Sequence, residues 1–220
     1  MPRDGTETRQ RILGAAQRQV LDKGFAATSV DDIQQAAGIS RGTFFYHFPS
    51  KDDLARALVA RYGEADHTFV EEFRERAERL ATYPLQRALV FLALHEDTFQ
   101  EVAPDEAGCL FASFSYETGA LDEESEAIIV ESIEHWRQVL GDMLAEAMVR
   151  HPPIVEDVDP YVLADVAYGV LQGAFILSRS LGDKGLTSLH VREFRRYLEV
   201  LFGVVTAGDS RTEAGSAASV

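Results

Sequence analysis

Between Thr28 and Lys51 the chain places three serines where each can cap a helix: Ser29, Ser40 and Ser50. Ser29 precedes Val30, and Asp32 follows three residues on, the reciprocal arrangement of a capping box. Asp31 and Asp32 both sit where a helix start favours negative charge. Val30, Ile33, Ala36 and Ala37 repeat at the spacing of one buried stripe. Gly38 suits the left-handed conformation that ends a helix, and Ile39 is an apolar plug in the turn. Ser40 opens a second, short helix whose first turn is Arg41, Gly42 and Thr43. Pro49 stops it, and Ser50 caps a longer helix opening with Lys51, Asp52 and Asp53. Helix, glycine turn and short helix in this order form a helix-turn-helix, which presents the first residues of its second helix to base edges. Double-stranded DNA is the partner this segment predicts. Ser40, Arg41, Gly42 and Thr43 are its first candidate contacts, and Gly42 removes a side chain where backbone and DNA come close.

The run Gly42-Thr43-Phe44-Phe45-Tyr46-His47-Phe48-Pro49-Ser50-Lys51 follows a first helix from Arg9 to Ala27 that closes with Gly24-Phe25. Together they resemble the DNA-binding domain of TetR-type (TetR/AcrR) transcriptional regulators. The close resemblance runs from Thr6 to Arg61; the remainder matches in length and helical pattern. It implies that Arg41, Thr43 and Phe44 read bases or pack on thymine methyls. It also implies that Thr28, Tyr46, His47 and Lys51 hold phosphates. Phe45 departs from the pattern, standing where the family commonly has tyrosine; it lacks one phosphate-binding hydroxyl and is open to a place in the core. Read from the residues alone, Ile33, Ala37, Ile39 and Phe48 are the core of a small three-helix domain. On the same basis Phe44 either meets the groove or packs inward. His47 either holds a phosphate or ends its helix at the surface. Lys51 either holds a phosphate or only solvates the next helix start.

A net charge of −15 opposes DNA binding until it is divided along the chain. The first 61 residues carry nine Lys/Arg against seven Asp/Glu; the rest carry 12 against 29. Charges beyond a Debye length of about 8 Å are largely screened, so the local face decides attraction to DNA. Arg3, Arg9, Arg11, Arg18, Arg41 and Lys51 can supply that face. The acidic remainder keeps the chain soluble. Apolar content of 46% and charged content of 26% are those of a globular protein. The sequence reads without a signal-peptide pattern over Met1 to Arg9 and without an apolar run long enough to span a membrane. Cys109 has no second cysteine to pair with. These features predict a cytoplasmic protein.

No segment after Lys51 alternates in the strand manner, so the expected class is all-α. A long helix is predicted from Lys51 to Ala81, linking the first domain to the rest. Others are predicted from Pro84 through Phe99, from Glu106 to Thr118 ending at Gly119, and from Asp122 to Arg150 before Pro152-Pro153. The last two run from Pro160 to Leu181 and from Ser188 to Val205. The expected organisation is a helix-turn-helix DNA-binding domain over 1–50, a helical regulatory and dimerisation domain over 51–206, and a disordered tail over 207–220, which lacks large apolar residues.

The last two helices are more apolar than one core face requires. Val166, Val170, Gly173 and Leu177 on one, and Phe194, Leu198, Leu201 and Phe202 on the other, are the predicted dimer interface. A helix apolar all round must be covered all round, and a twofold axis would cover both while supplying two half-site contacts. Gly169 and Gly173, four apart, permit close approach. The resemblance implies the same pairing of the last two helices. It also implies a small-molecule effector held inside the helical body, whose binding moves the two reading heads apart or together. Phe69, Phe73, His95, Phe99, Phe114, Trp136 and Phe175 are the candidate lining residues, each with core packing as its alternative. Glu117 is either a partner for a cationic effector or a solvated acid.

Two other classes compete. Cys109 with His95 or His135 as base would make a helical enzyme, and a helical protein–protein adaptor would use the first domain to bind protein. The sequence carries no nucleophile elbow, phosphate loop or dinucleotide-binding glycine pattern, and no pair of histidines at metal-binding spacing. Neither cofactor nor metal is expected. Cys109 lies near a predicted helix start, where a thiol can be activated, but Leu110 and Phe111 beside it favour burial. The expected function is a ligand-responsive, dimeric transcriptional regulator, most simply a repressor.

Overall fold

The computed structural model describes residues 5–100, 108–117 and 119–204. Helix is the only regular structure among them: α1 (Gly5–Lys23), α2 (Val30–Ala37), α3 (Arg41–His47), α4 (Lys51–Leu80), α5 (Pro84–Phe99), α6 (Leu110–Ser115), α7 (Glu123–Arg150), α8 (Pro160–Leu181) and α9 (Gly185–Leu201). The capping chemistry explains the boundaries. The Ser29 hydroxyl accepts the Asp32 amide proton, and Asp32 accepts that of Ser29, at 3.1 and 2.8 Å. Lys23 also reaches the Asp32 carboxylate at 2.8 Å, and these partners hold that carboxyl far below its usual range. Gly38 ends α2 with φ 63°, a backbone that a side chain would strain. Ser40 and Ser50 cap α3 and α4 in turn by accepting the amide protons of Thr43 and Asp53.

α1, α2, α3 and the first two turns of α4 close around Ile12, Leu13, Ala16, Ile33, Phe44, Phe48, Leu54 and Leu58, all buried. That core does not stop at residue 50. Cys109, Leu110, Phe111 and Phe114 at α6, Ile129 on α7 and Phe175 on α8 belong to the same cluster. A second core fills the body, where α5 packs on α9 and α7, and α8 on α7 and α9. Between α5 and α9 the nearly buried Glu96 accepts from Arg192 at 2.7 Å and from Arg195 at 3.1 Å, and Arg195 also meets Glu199. A buried acid is tolerable only with such partners.

Several boundaries differ from the sequence reading. α1 begins at Gly5 and ends at Lys23, ahead of the expected Ala27, because Gly24 takes φ 83° and turns the chain. α6 is confined to Leu110–Ser115; residues 106, 107 and 118 of its expected span lie outside the described residues. α9 starts at Gly185, whose amide proton is accepted by Asp183, three residues before the expected start. Ala36 faces solvent rather than the core. The expected tail over 207–220, Val205 and Arg3 lie outside the described residues. α8 corrects the reading that no apolar run is long enough to cross a membrane: it is, by length and composition alone. In this structure Leu163, Ala164, Ala167, Ala174 and Phe175 bury one side of it in the bundle.

Candidate nucleic-acid interface and ligand cavity

α3 is short because its work is local. Ser40 fixes its first turn, with its hydroxyl 2.8 Å from that of Thr43. Arg41 and Gly42 are exposed, Thr43 is half-buried, and the Tyr46 side chain stands 83% exposed at the far end. The Tyr46 ring meets half-buried His47 edge-on. Arg41 lies over the Phe45 ring, 5.4 Å from its centroid, and pairs with Asp31 of α2 at 3.1 Å. Both partners of that ion pair are well exposed, so it orients the guanidinium more than it stabilises the fold. Ser40, Arg41, Gly42, Thr43, Tyr46 and His47 therefore form one accessible surface around α3.

Three expected DNA contacts sit elsewhere. Phe44 is fully buried, with its ring 6.0 Å from that of Phe48, and is not a groove contact. The pair Phe44-Phe45 is inverted relative to the sequence reading: Phe45 is the exposed one, because consecutive residues of a helix point about 100° apart and only one can face the core. Thr28 is 1% exposed, and its hydroxyl donates to the Gly24 carbonyl at 2.7 Å, so it ties down the α1–α2 turn instead of a phosphate. Lys51 donates to the Phe25 carbonyl at 2.6 Å and lies 4.2 Å from the centroid of the Phe25 ring. Burial lowers its pKa from the ordinary lysine value. Its ammonium is committed to the protein.

The same turn is held from the body. Glu117, just after α6, accepts the amide protons of Phe25 and Ala26, both at 2.6 Å. It is neither a ligand partner nor a freely solvated acid. The Phe114 ring of α6 packs tilted against that of Phe25, their centroids 5.1 Å apart. Arg179 of α8 donates to the carbonyls of Leu21 and Asp22 and pairs with the Asp22 carboxylate at 2.9 Å. A basic side chain at a helix C-terminus satisfies carbonyls that the helix leaves free. Nothing in local sequence reveals these links, which join residues about ninety or more positions apart.

A cavity of about 350 Å³ opens between the first domain and the body. Of the expected lining residues, Phe69, His95, Phe99, Trp136 and Phe175 border it; Phe73 and Phe114 do not. Phe73 packs behind, edge-on to His95 at 4.8 Å, and Phe114 belongs to the first core. The sequence reading missed Gln17 and Leu21 of α1, Tyr62 and Asp66 of α4, and Tyr168 of α8. Tyr62, Asp66, Phe69 and Val70 share one helical face, and an acid within that apolar stripe was the available signal. Burial pushes the Asp66 carboxyl up to about 6, with His67 opposing. Burial pulls His95 down to about 4, and its Nδ1 lies 2.8 Å from the Phe91 carbonyl. Cys109 borders the cavity with its sulfur 3.8 Å from the Tyr168 hydroxyl. Among the described residues it has no histidine as hydrogen-bond partner.

The expected dimer face divides in two. Phe194, Leu198, Leu201 and Phe202 are buried within this chain, because α9 turns them toward α5 and α8. Val170 is half-buried. The outward face consists of Val162, Val166, Ile176 and Leu177 of α8 with Leu189, Tyr197 and Val200 of α9. Gly169 and Gly173 lie among them with open space above each.

Residues 12–58 match the family described as bacterial regulatory proteins, tetR family, and residues 84–194 match the tetracyclin repressor-like C-terminal domain. The transcriptional regulator AcuR of Cereibacter sphaeroides is 25% identical over 80% of this chain and 78% of its own. The HTH-type transcriptional repressor DhaR of a Mycobacterium species is 25% identical over 78% of this chain and 82% of its own. A TetR-family regulator from Agrobacterium tumefaciens superposes with a TM-score of 0.72 over 88% of this chain and 98% of that one, at 21% identity, which shows the shared fold.

Proposed function

The chain belongs to the tetR family of bacterial regulatory proteins, DNA-binding transcriptional regulators, and from that premise we propose that it is a homodimeric repressor released from a palindromic operator by a small molecule bound in the body. In this reading α3 enters the major groove with Arg41, Gly42 and Thr43 toward the bases. Ser40, Tyr46 and His47 lie against the backbone. Two copies join through the outward faces of α8 and α9. Their heads meet successive major grooves about 34–36 Å apart, or a multiple of that. The acidic body faces away from DNA, and the protein works in the cytoplasm.

One observation carries the effector part of this proposal: the cavity wall is built jointly by the body and the reading head. Gln17 and Leu21 belong to α1, and Tyr62, Asp66 and Phe69 to the helix that continues from α3. A ligand filling that space presses directly on the elements that aim α3. To take a population from mostly DNA-competent to mostly incompetent it must favour the second state by about 5.5 kcal/mol.

Selection of bound duplexes from a random pool tests the reading. It should return an inverted repeat whose affinity falls steeply with salt, and compounds that quench Trp136 should release it. A purified chain that enriches no duplex at low ionic strength overturns it. Blockage of a promoter follows if the selected repeat overlaps one.

A further inference from the structure

Among the described residues that line it, the cavity has one carboxylate and no lysine or arginine to answer it. Asp66 borders the space without a hydrogen bond or ion pair among the described residues. The other groups that face it are the Tyr62 and Tyr168 hydroxyls, the Cys109 thiol, His95 and the carboxamides of Gln17 and Gln172, with His67 on its own helix. Two further polar atoms on the wall are buried and unpartnered: Nε2 of His95, which is 2% exposed, and Nε1 of Trp136, which is 6% exposed. The Phe91 carbonyl can only accept, so His95 carries its proton on Nδ1 and Nε2 is a bare acceptor. Beside those hydroxyls and carboxamides, the wall therefore offers two acceptors without a partner, Asp66 and Nε2 of His95, and one unpartnered buried donor, Nε1 of Trp136. The rest is largely aromatic: Phe69, Phe99, Phe111 and Phe175.

We propose that the molecule this cavity takes is a lipophilic organic cation, a protonated amine on an apolar body, with its ammonium on Asp66. The inference rests on the cavity being the effector site. Three physical terms favour it. The cost of stripping water from Asp66 is already present in the free protein, so an arriving cation gains the attraction without adding that cost on the protein side. Ring faces stabilise a cation further once water is gone. An anionic ligand instead meets a carboxylate with no arginine or lysine among the described lining residues to offset it. The ammonium protons find acceptors at Asp66 and His95, and an acceptor on the ligand would satisfy the orphaned Trp136 donor.

Trp136 is the only tryptophan of the chain and borders this cavity, so its fluorescence reports binding there. Phenylbutylamine, phenylbutanol and phenylbutyrate have one body and differ in charge. With the full-length protein at neutral pH the amine should bind at least about tenfold more tightly than the alcohol, and the carboxylate more weakly than the alcohol. Asp66→Asn should bring the amine and the alcohol to within about threefold of each other. That ratio, unlike either affinity, is insensitive to a general loosening of the fold. Phenylbutyrate binding as well as the amine, or an amine preference that survives Asp66→Asn, overturns the inference. An Asp66-dependent preference without any release of operator DNA supports the ligand class and sinks the effector reading instead. No quenching by any of the three overturns both.

Discussion

Glu117 receives the amide proton of Phe25 across 92 positions of sequence, and with its second oxygen that of Ala26. Those amides follow the end of α1, where the chain turns toward the DNA-reading helices. Gly24 is the neighbour that makes room: a Cβ there would lie 2.8 Å from the Glu117 carboxylate, and its φ of 83° already excludes most side chains. The reading head is thus hinged to the body at a defined point, through hydrogen bonds from two backbone amides to one side chain.

Glu117→Ala should therefore act on both stability and signalling. Removing the carboxylate leaves two amides to solvent and should cost about 1–2 kcal/mol in urea unfolding, at the lower end for such bonds because one is exposed. Operator affinity and its sensitivity to effector should change together. Wild-type DNA response in a variant of lowered stability would show that the link only braces the fold.

Arg41 and Lys51 should separate cleanly. Arg41→Ala removes an exposed guanidinium at the α3 surface and should lower DNA affinity, with fold stability within about 0.5 kcal/mol of wild type. Lys51→Ala removes a cation already bound to the Phe25 carbonyl and ring. It should lower the unfolding midpoint and leave the slope of affinity against salt unchanged. A slope reduced by about one unit would return Lys51 to the phosphates.

Phe44→Ala and Phe45→Ala test neighbouring residues with opposite fates. The first empties a fully buried site and should cost about 3–5 kcal/mol. The second trims a half-exposed ring beneath Arg41 and should cost under about 1 kcal/mol while weakening operator binding. Equal thermal midpoints for the two variants would contradict the orientation of α3.

Asp66→Asn should stabilise the protein in a pH-dependent way. Burial raises the Asp66 pKa from 3.8 to about 6 in the folded chain. A raised carboxyl pKa means the folded state holds its proton more tightly, so stability falls as pH rises from near 4 through 6 and stays low above that. His95, lowered to about 4, acts in the other sense and costs stability as pH falls below its unfolded value of 6.5. Comparison of variant with wild type cancels the His95 contribution. The gain in midpoint on Asp66→Asn should be larger at pH 8 than at pH 5, and an equal gain at both would show that Asp66 is solvated.

Much of the architecture was legible because capping is local. Ser29, Gly38, Ser40 and Ser50 lie within a few residues of the ends they set, and the structure uses each as the spacing requires. The interior of α3 was less legible, since Phe44 and Phe45 are chemically alike and only the angle of the helix in its core chooses between them. The cavity was half legible. Aromatic residues mark where bulk is needed, but whether a ring lines a space, as Phe99 does, or packs behind it, as Phe73 does, depends on helices distant in sequence. The roles of Glu117 and Arg179 depend wholly on such distant partners. Phe194, Leu198, Leu201 and Phe202 were correctly read as apolar and assigned to the wrong neighbour, because a stripe records that a face is covered and not by which chain.

The first core runs on past residue 50 into Leu110, Phe111 and Phe114, and this limits how the protein can be recombined. Heads exchanged between regulators by a cut after α3 would leave those side chains facing a stranger's α1. A working chimaera would have to carry α6 and the first turns of α4 along with the head, so specificity for DNA and for effector should evolve here as a matched pair.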